Sequence, residues 1–161
     1  MWKPNTTVAA VIERDGRFLI VEERIQGQLK LNQPAGHVDA NEAIIAACRR
    51  ETLEETAYHF EPSALVGIYQ WTVPGTDLTY LRYAFCGELG EHDAERQLGL
   101  ADEGIEAAVW LTRDELVARS EQHRSPLLLA CIDDYLAGRR YPLDIIRDFD
   151  GNTDLNGKLH E

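Results

Sequence analysis

The sequence predicts an α/β domain built in layers, with strands enclosing an acidic helix and more helix at the end. Three observations carry that expectation. Two β-rich runs near the start are joined by Asp15-Gly16. Residues 39 to 56 contain neither proline nor glycine. Strand-like stretches then resume from Ala64 to Leu111.

Thr6 to Glu13 and Arg17 to Glu23 are rich in Val, Ile, Leu and Thr, and Asp15-Gly16 suits a two-residue hairpin turn. A loop from Arg24 to Pro34 leads into Ala35-Gly36. Asp39 to Thr56 reads as a helix, with Asp39-x-x-Glu42 in the form of a capping box. Further strands are expected at Ala64 to Trp71, Thr79 to Glu88 and Glu106 to Leu111. Val73-Pro74-Gly75 and the acidic run from Gly87 to Gly104 read as loops. A second helix is expected from Thr112, where Thr112-x-x-Glu115 is another capping box. A third starts with Ser125 as N-cap and Pro126 as its first helical residue, and ends at Gly138. Residues 149–161 form a polar tail, expected to fray.

A chain of 161 residues with 44% hydrophobic content suits one globular domain over residues 1–161. No apolar run approaches the roughly 20 residues needed to cross a bilayer, and Met1-Trp2-Lys3-Pro4 lacks the apolar region of a signal peptide. A cytoplasmic protein with no membrane association is expected. Cys48, Cys86 and Cys131 are odd in number and widely spaced, so they read as reduced and structural rather than as a disulfide framework or zinc ribbon. The net charge of −12 argues against a nucleic-acid partner. A polyphosphate substrate remains compatible, provided divalent cations reverse the local field.

That condition directs attention to the helix. Each helical residue advances about 100°, so with Ile44 at zero, Ile45, Cys48 and Thr52 mark an inward stripe. On the same wheel Glu55 lies near about 20°, Glu51 near about −20° and Glu54 near about −80°. These carboxylates overlap the edge of the buried stripe. A solvated acidic face should lie opposite it, and like charges at i,i+4 repel. Two readings stay open: a face salt-bridged to Arg49 and Arg50, or a site for Mg²⁺ or Mn²⁺ built from hard oxygen ligands.

Gly36, Glu42, Arg50, Glu51, Glu54 and Glu55 resemble the Nudix box: glycine, five residues, glutamate, seven residues, then Arg-Glu-x-x-Glu-Glu. At ordinary residue frequencies the six fixed positions would coincide by accident with a probability on the order of 10⁻⁵. Thr52, Ala57 and Tyr58 depart from the pattern at softer positions; alanine in place of the usual glycine at Ala57 predicts an altered helix exit. Lys3-Pro4, Asn32-Gln33-Pro34-Ala35-Gly36-His37, Gln70-Trp71, Arg124-Ser125-Pro126-Leu127 and Arg140-Tyr141-Pro142-Leu143 extend the resemblance to the NudJ-type phosphatases over residues 3–149.

The resemblance implies a Nudix α/β/α sandwich with a mixed β-sheet and the box helix beside it. It implies divalent metal, Mg²⁺ or alternatively Mn²⁺, held by Glu51, Glu54, Glu55 and the Gly36 carbonyl. Glu51 or Glu54, or else Glu103 or Glu106 in the later loop, would deprotonate the attacking water. Arg50 would orient a neighbouring glutamate, and Glu42 would serve structure. Arg24, His37 and Arg82 could contact substrate phosphate, with solvation the alternative for both arginines. Trp71 could stack on a base, with core packing its alternative. His59, His92, His123 and His160 show no ligand spacing.

The implied activity is hydrolysis of a small-molecule phosphoanhydride, releasing orthophosphate from nucleoside tri- and diphosphates and from hydroxymethylpyrimidine diphosphate. The alternatives are a nucleotide-sanitising diphosphatase that releases pyrophosphate, and a nucleotide sensor that hydrolyses nothing. A monomer is favoured over a homodimer.

Overall fold

Asp15 and Gly16 both take positive φ, 52° and 75°, as a two-residue hairpin turn between Arg14 and Arg17 requires. In the computed structural model, which describes residues 1–97 and 104–150, this turn joins β2 (Glu13–Arg14) to β3 (Arg17–Ile25). β1 (Asn5–Ala10) precedes them, and β4 (Gln28–Asn32) and β5 (Ala35–His37) follow. After α1 (Ile44–Thr56) come β6 (Tyr58–Thr72), β7 (Thr79–His92) and β8 (Ile105–Leu111). α2 (Arg113–Ala118), α3 (Leu127–Leu136) and the short β9 (Tyr141–Pro142) complete the order.

Among the described residues the strands form two sheets. One runs β5-β1-β7-β6-β9, with β1 and β7 parallel and its other pairs antiparallel, so it is mixed. In the other, β3 pairs antiparallel with β8 along one edge and with β2 and β4 along the other. Because strand residues alternate faces, Val8 and Ala10 pack with Ala47 and Cys48 of α1. Ala9 packs the other way, with Leu116 of α2 and Leu128, Cys131 and Ile132 of α3. Helices therefore cover both faces, giving the α/β/α sandwich. Cys48, Cys86 and Cys131 are all buried and unbridged. Among the described residues no helix is long and apolar enough to cross a membrane.

Several boundaries differ from expectation. The loop expected from Arg24 to Pro34 contains β4, because Gln26 and Gly27 at φ 49° and 78° make a second tight turn. The box helix begins at Ile44 rather than Asp39. Glu42 Oε2 does accept the Asp39 N–H at 2.9 Å, but Asn41 at φ 62° turns the chain before the helix starts, so the motif closes a loop. β6 starts six residues before Ala64 and runs through Pro62, which sits where the register with β7 shifts. β7 continues to His92, through the start of the expected acidic loop. Ala57 takes the left-handed C-cap that glycine usually fills, at φ 62° and ψ 9°, so the helix exit is not altered.

The second helix starts as expected, whereas the third begins one residue later than expected, at Leu127 with Pro126 rather than Ser125 as its N-cap. Thr112 and Glu115 form the reciprocal capping box, and Ser125 Oγ accepts the Leu127 N–H at 3.2 Å. Gly138 at φ 81° follows α3. Residues 151–161 of the expected tail lie outside the described residues.

Candidate active site

On α1 the buried residues are Ala47, Cys48, Glu51, Thr52, Glu55 and Thr56, so two of the three clustered carboxylates are on the inward stripe, as the helical wheel places them. Glu51 is 4% exposed and Glu55 1%. The Glu54 side chain, at the edge of the stripe, keeps 19% exposure. β5 runs beside them, and Gly36 approaches Glu51 closely. A Cβ on Gly36 would stand 2.1 Å from Glu51 Cδ and 2.3 Å from both of its carboxylate oxygens, so any side chain here would occupy the space of the carboxylate itself.

Arg50 organises the cluster. Its Nη1 donates to Glu51 Oε1 at 2.7 Å and to Glu54 Oε2 at 3.2 Å. Its Nε and Nη2 donate to the two oxygens of Glu42 at 2.7 and 2.9 Å, and Nη2 also reaches the His37 carbonyl at 2.9 Å. The Arg50 hydrogen bonds hold Glu42 below the ordinary carboxylate range, and Glu42 in turn raises the guanidinium pKa. Glu42 thus anchors Arg50, and Arg50 sets the carboxylates that follow it in the chain. Among the described residues no three acidic, histidine or cysteine groups already converge on one point.

Gly36, Glu51, Glu54 and Glu55 share a cleft of about 450 Å³ with His37, Trp71 and Arg82. Trp71 stacks on Tyr80 across the β6–β7 ladder, with centroids 6.1 Å apart and planes 15° from parallel. The pair stands at the cleft rather than in the hydrophobic core. Arg82 is 6% exposed, which corrects the solvated alternative. The reason is the second helical layer: the face of β7 that carries Arg82 also carries Ala84 and Cys86, which pack toward α3.

Arg24 does not line this cleft. It pairs with Glu106 through two nitrogens, one of them Nη2 at 3.2 Å from Oε2, and its Nη1 donates to the Gly27 carbonyl at 3.0 Å. Glu106 is accordingly held below its ordinary pKa by Arg24 and lies on the exposed side of β8. Neither residue belongs with the carboxylates of α1. Glu103 lies outside the described residues.

Asn32, Tyr80 and the ion pair of Glu23 with Arg124, at 3.6 Å, also line the cleft and had been given no role. Asn32 and Arg124 stand in the segments that carried the resemblance, so a signal existed. Glu23 and Tyr80 read from sequence only as ordinary strand residues.

A helix whose carboxylates face a glycine strand across a cleft, in an α/β/α sandwich, defines a known class of hydrolase. The NUDIX domain family model matches residues 1–131, and the chain belongs to that family, whose members act on phosphoanhydrides. It is 39% identical over 156 residues to phosphatase NudJ of Escherichia coli K12, covering 92% of this chain and 94% of the relative. The same figures hold for phosphatase NudJ of Shigella flexneri. Among solved structures, a NUDIX hydrolase from Nitrosomonas europaea is 52% identical with a TM-score of 0.87, covering 92% of this chain and 99% of its own. A MutT NUDIX hydrolase from Burkholderia pseudomallei, 20% identical with a TM-score of 0.67 over 83% of this chain and 98% of its own, shares the fold.

Proposed function

We propose that this hydrolase is a Mg²⁺-dependent phosphatase, with Mn²⁺ able to substitute, that releases orthophosphate from nucleoside tri- and diphosphates and from hydroxymethylpyrimidine diphosphate. The observation that carries the reading is the set of carboxylates of Glu51, Glu54 and Glu55 in one cleft with Gly36. The phosphatase name of the relatives at 39% identity supports release of orthophosphate over pyrophosphate.

The residues present fit a divalent cation. Gly36 lacks the Cβ that would displace Glu51, so the backbone of β5 and a buried carboxylate approach each other closely. The other donors are the hard oxygens that Mg²⁺ prefers. Glu51, Glu55 and the Gly36 carbonyl would hold the ion, with Glu54 beside them. When bound, it would neutralise phosphate charge and polarise the phosphoryl oxygen under attack.

The protein's own groups supply the rest. Glu54, the most exposed of the three carboxylates, accepts the proton of the attacking water as the new P–O bond forms and the anhydride P–O bond breaks. Arg50 keeps Glu51 and Glu54 in register. His37 and Arg82 take phosphate oxygens, and the Trp71–Tyr80 pair receives a planar ring.

Product analysis tests the reading. Purified protein with Mg²⁺ and a panel of nucleoside tri- and diphosphates and hydroxymethylpyrimidine diphosphate should release orthophosphate. Glu54→Gln should fold normally and turn over at least ~10²-fold more slowly. Pyrophosphate with a nucleoside monophosphate would replace the phosphatase by a sanitising diphosphatase. Tight binding with no product would leave a sensor.

A further inference from the structure

Arg82 carries a permanent charge into the interior, on β7 between β1 and β6, at 6% exposure. What meets that charge is neutral. Nη1 donates to Gln33 Oε1 at 3.0 Å and Nη2 to Asn32 Oδ1 at 3.2 Å. Nε is buried with no hydrogen-bond partner among the described residues. None of the ion pairs among the described residues includes Arg82. The Cys131 thiol lies beside it, but burial pushes that pKa up, so the thiol stays neutral. A guanidinium buried without a counter-charge is costly unless an anion completes it.

The two amides are oriented so that they cannot supply that anion. Gln33 Nε2 donates to the Leu128 carbonyl of α3 at 2.7 Å, which turns its oxygen toward Arg82. Asn32 also gives its oxygen to Arg82, leaving its NH₂ as a donor, and both Asn32 and Arg82 line the cleft. In the sheet Arg82 pairs with Thr7, and Thr7 with His37. Two strand spacings, about 10 Å, therefore separate Arg82 from the strand that carries Gly36.

We propose that Arg82 and the Asn32 amide form an anion subsite, independent of metal, for a substrate phosphate, and that Asn32 and Gln33 act as positioning residues whose neutrality keeps the Arg82 charge available. The proposal rests on the phosphatase reading only in taking the cleft as the place where substrate binds. The carboxylates of α1 need a cation before they tolerate phosphate; this end of the cleft needs none. The same substrate is thus gripped by two chemistries, and the subsite can be measured with the other one disabled.

The test uses inorganic pyrophosphate with the full chain in EDTA, followed by calorimetry, and then steady-state kinetics with Mg²⁺. Wild type should bind pyrophosphate without metal. Gln33→Glu and Asn32→Asp change one amide to a carboxylate of nearly the same shape and place it against Arg82. Asn32→Asp should keep or raise the melting temperature, whereas Gln33→Glu gives up the donor to the Leu128 carbonyl and should not raise it. Each should weaken metal-free pyrophosphate binding by about tenfold or more, and raise KM by about tenfold while kcat changes less than about threefold. Arg82→Gln, which removes the charge, should weaken the metal-free binding at least as far. No pyrophosphate binding by wild type in EDTA, or unchanged binding in both Gln33→Glu and Arg82→Gln, would overturn the proposal. Metal-free binding that these variants abolish, in a protein that hydrolyses nothing on the panel, would uphold the subsite and refute the phosphatase instead.

Discussion

Replacing Gly36 with alanine should disable the site while leaving the fold nearly intact. Gly36 is not among the residues with positive φ, so alanine meets no backbone penalty there. The obstacle is space. The new Cβ would stand 2.1 Å from Glu51 Cδ, whereas carbon atoms in contact keep about 3.5 Å or more. Glu51 must therefore retreat by about 1.4 Å. It is 4% exposed and tied to Arg50 at 2.7 Å, so the retreat breaks that hydrogen bond and moves the carboxylate off its station. A displacement near 1 Å costs about 10²-fold in rate, or about 2.7 kcal/mol, so kcat should fall at least that far and the Mg²⁺ requirement should rise. The local overpacking should cost about 1–3 kcal/mol of stability. The assay is kcat, KM and a Mg²⁺ titration beside a thermal melt. Gly27→Ala is the converse control: nothing lies within 4 Å of its Cβ position, but φ is 78°. It should lose about 1–2 kcal/mol of stability and little activity. A Gly36→Ala enzyme with kcat within about threefold of wild type would refute the close-approach reasoning.

Other perturbations separate the remaining roles. Glu42 has its folded pKa lowered below 4.5 by the Arg50 hydrogen bonds, so its contribution is complete above that value and is lost as pH falls through the lower folded pKa. Glu42→Gln should therefore flatten the fall in melting temperature below about pH 4.5; an unchanged slope in acid melts would count against the linkage. Trp71→Ala should raise KM for ring-bearing substrates by about fivefold or more, from the loss of roughly 1–3 kcal/mol of stacking, and leave pyrophosphate binding alone. Equal losses for both ligands would remove Trp71 from ring recognition. Arg24→Ala should keep kcat/KM within about twofold, because its partners Glu106 and Gly27 lie away from the cleft; a larger loss would return Arg24 to the substrate.

What was legible in the sequence followed from local chemistry. Asp15-Gly16 names its turn because both residues tolerate positive φ, and Thr112 with Glu115 names a helix start. The wheel of α1 placed Glu51 and Glu55 against the interior, where they lie. β4 was passed over although Gln28 to Asn32 alternates polar and apolar residues, because Gln26-Gly27 is a weaker turn signal than Asp-Gly. The start of β6 was hidden by Pro62, which a strand accepts only at an irregular point in its ladder. Asp39 and Glu42 have capping-box spacing, but Arg50, eight residues beyond Glu42, recruits Glu42 and draws Asp39 to 3.6 Å. No short window contains that competition. Arg82 alternated correctly off the Tyr83 and Phe85 face, yet one strand alone cannot reveal that a helix covers its other side. The carboxylate end of the cleft was thus readable from one helix. The Arg82 end, assembled from β4, β7 and α3, was not.

The position of β1 has a consequence for how the molecule comes into being. Its central ladder joins Asn5–Ala10 to Tyr80–Phe85 in parallel, so during synthesis β1 waits for a strand made 75 positions later, from Asn5 to Tyr80. At about 5–20 residues per second, that wait lasts several seconds. Until β7 arrives, the Gly36 strand has its first neighbour but Arg82 has no seat between Thr7 and Tyr69. Closing so long a loop is an entropic toll met late and all at once. The two ends of the cleft should therefore appear together in refolding, and the amides of β1 should exchange with solvent only when the whole domain opens.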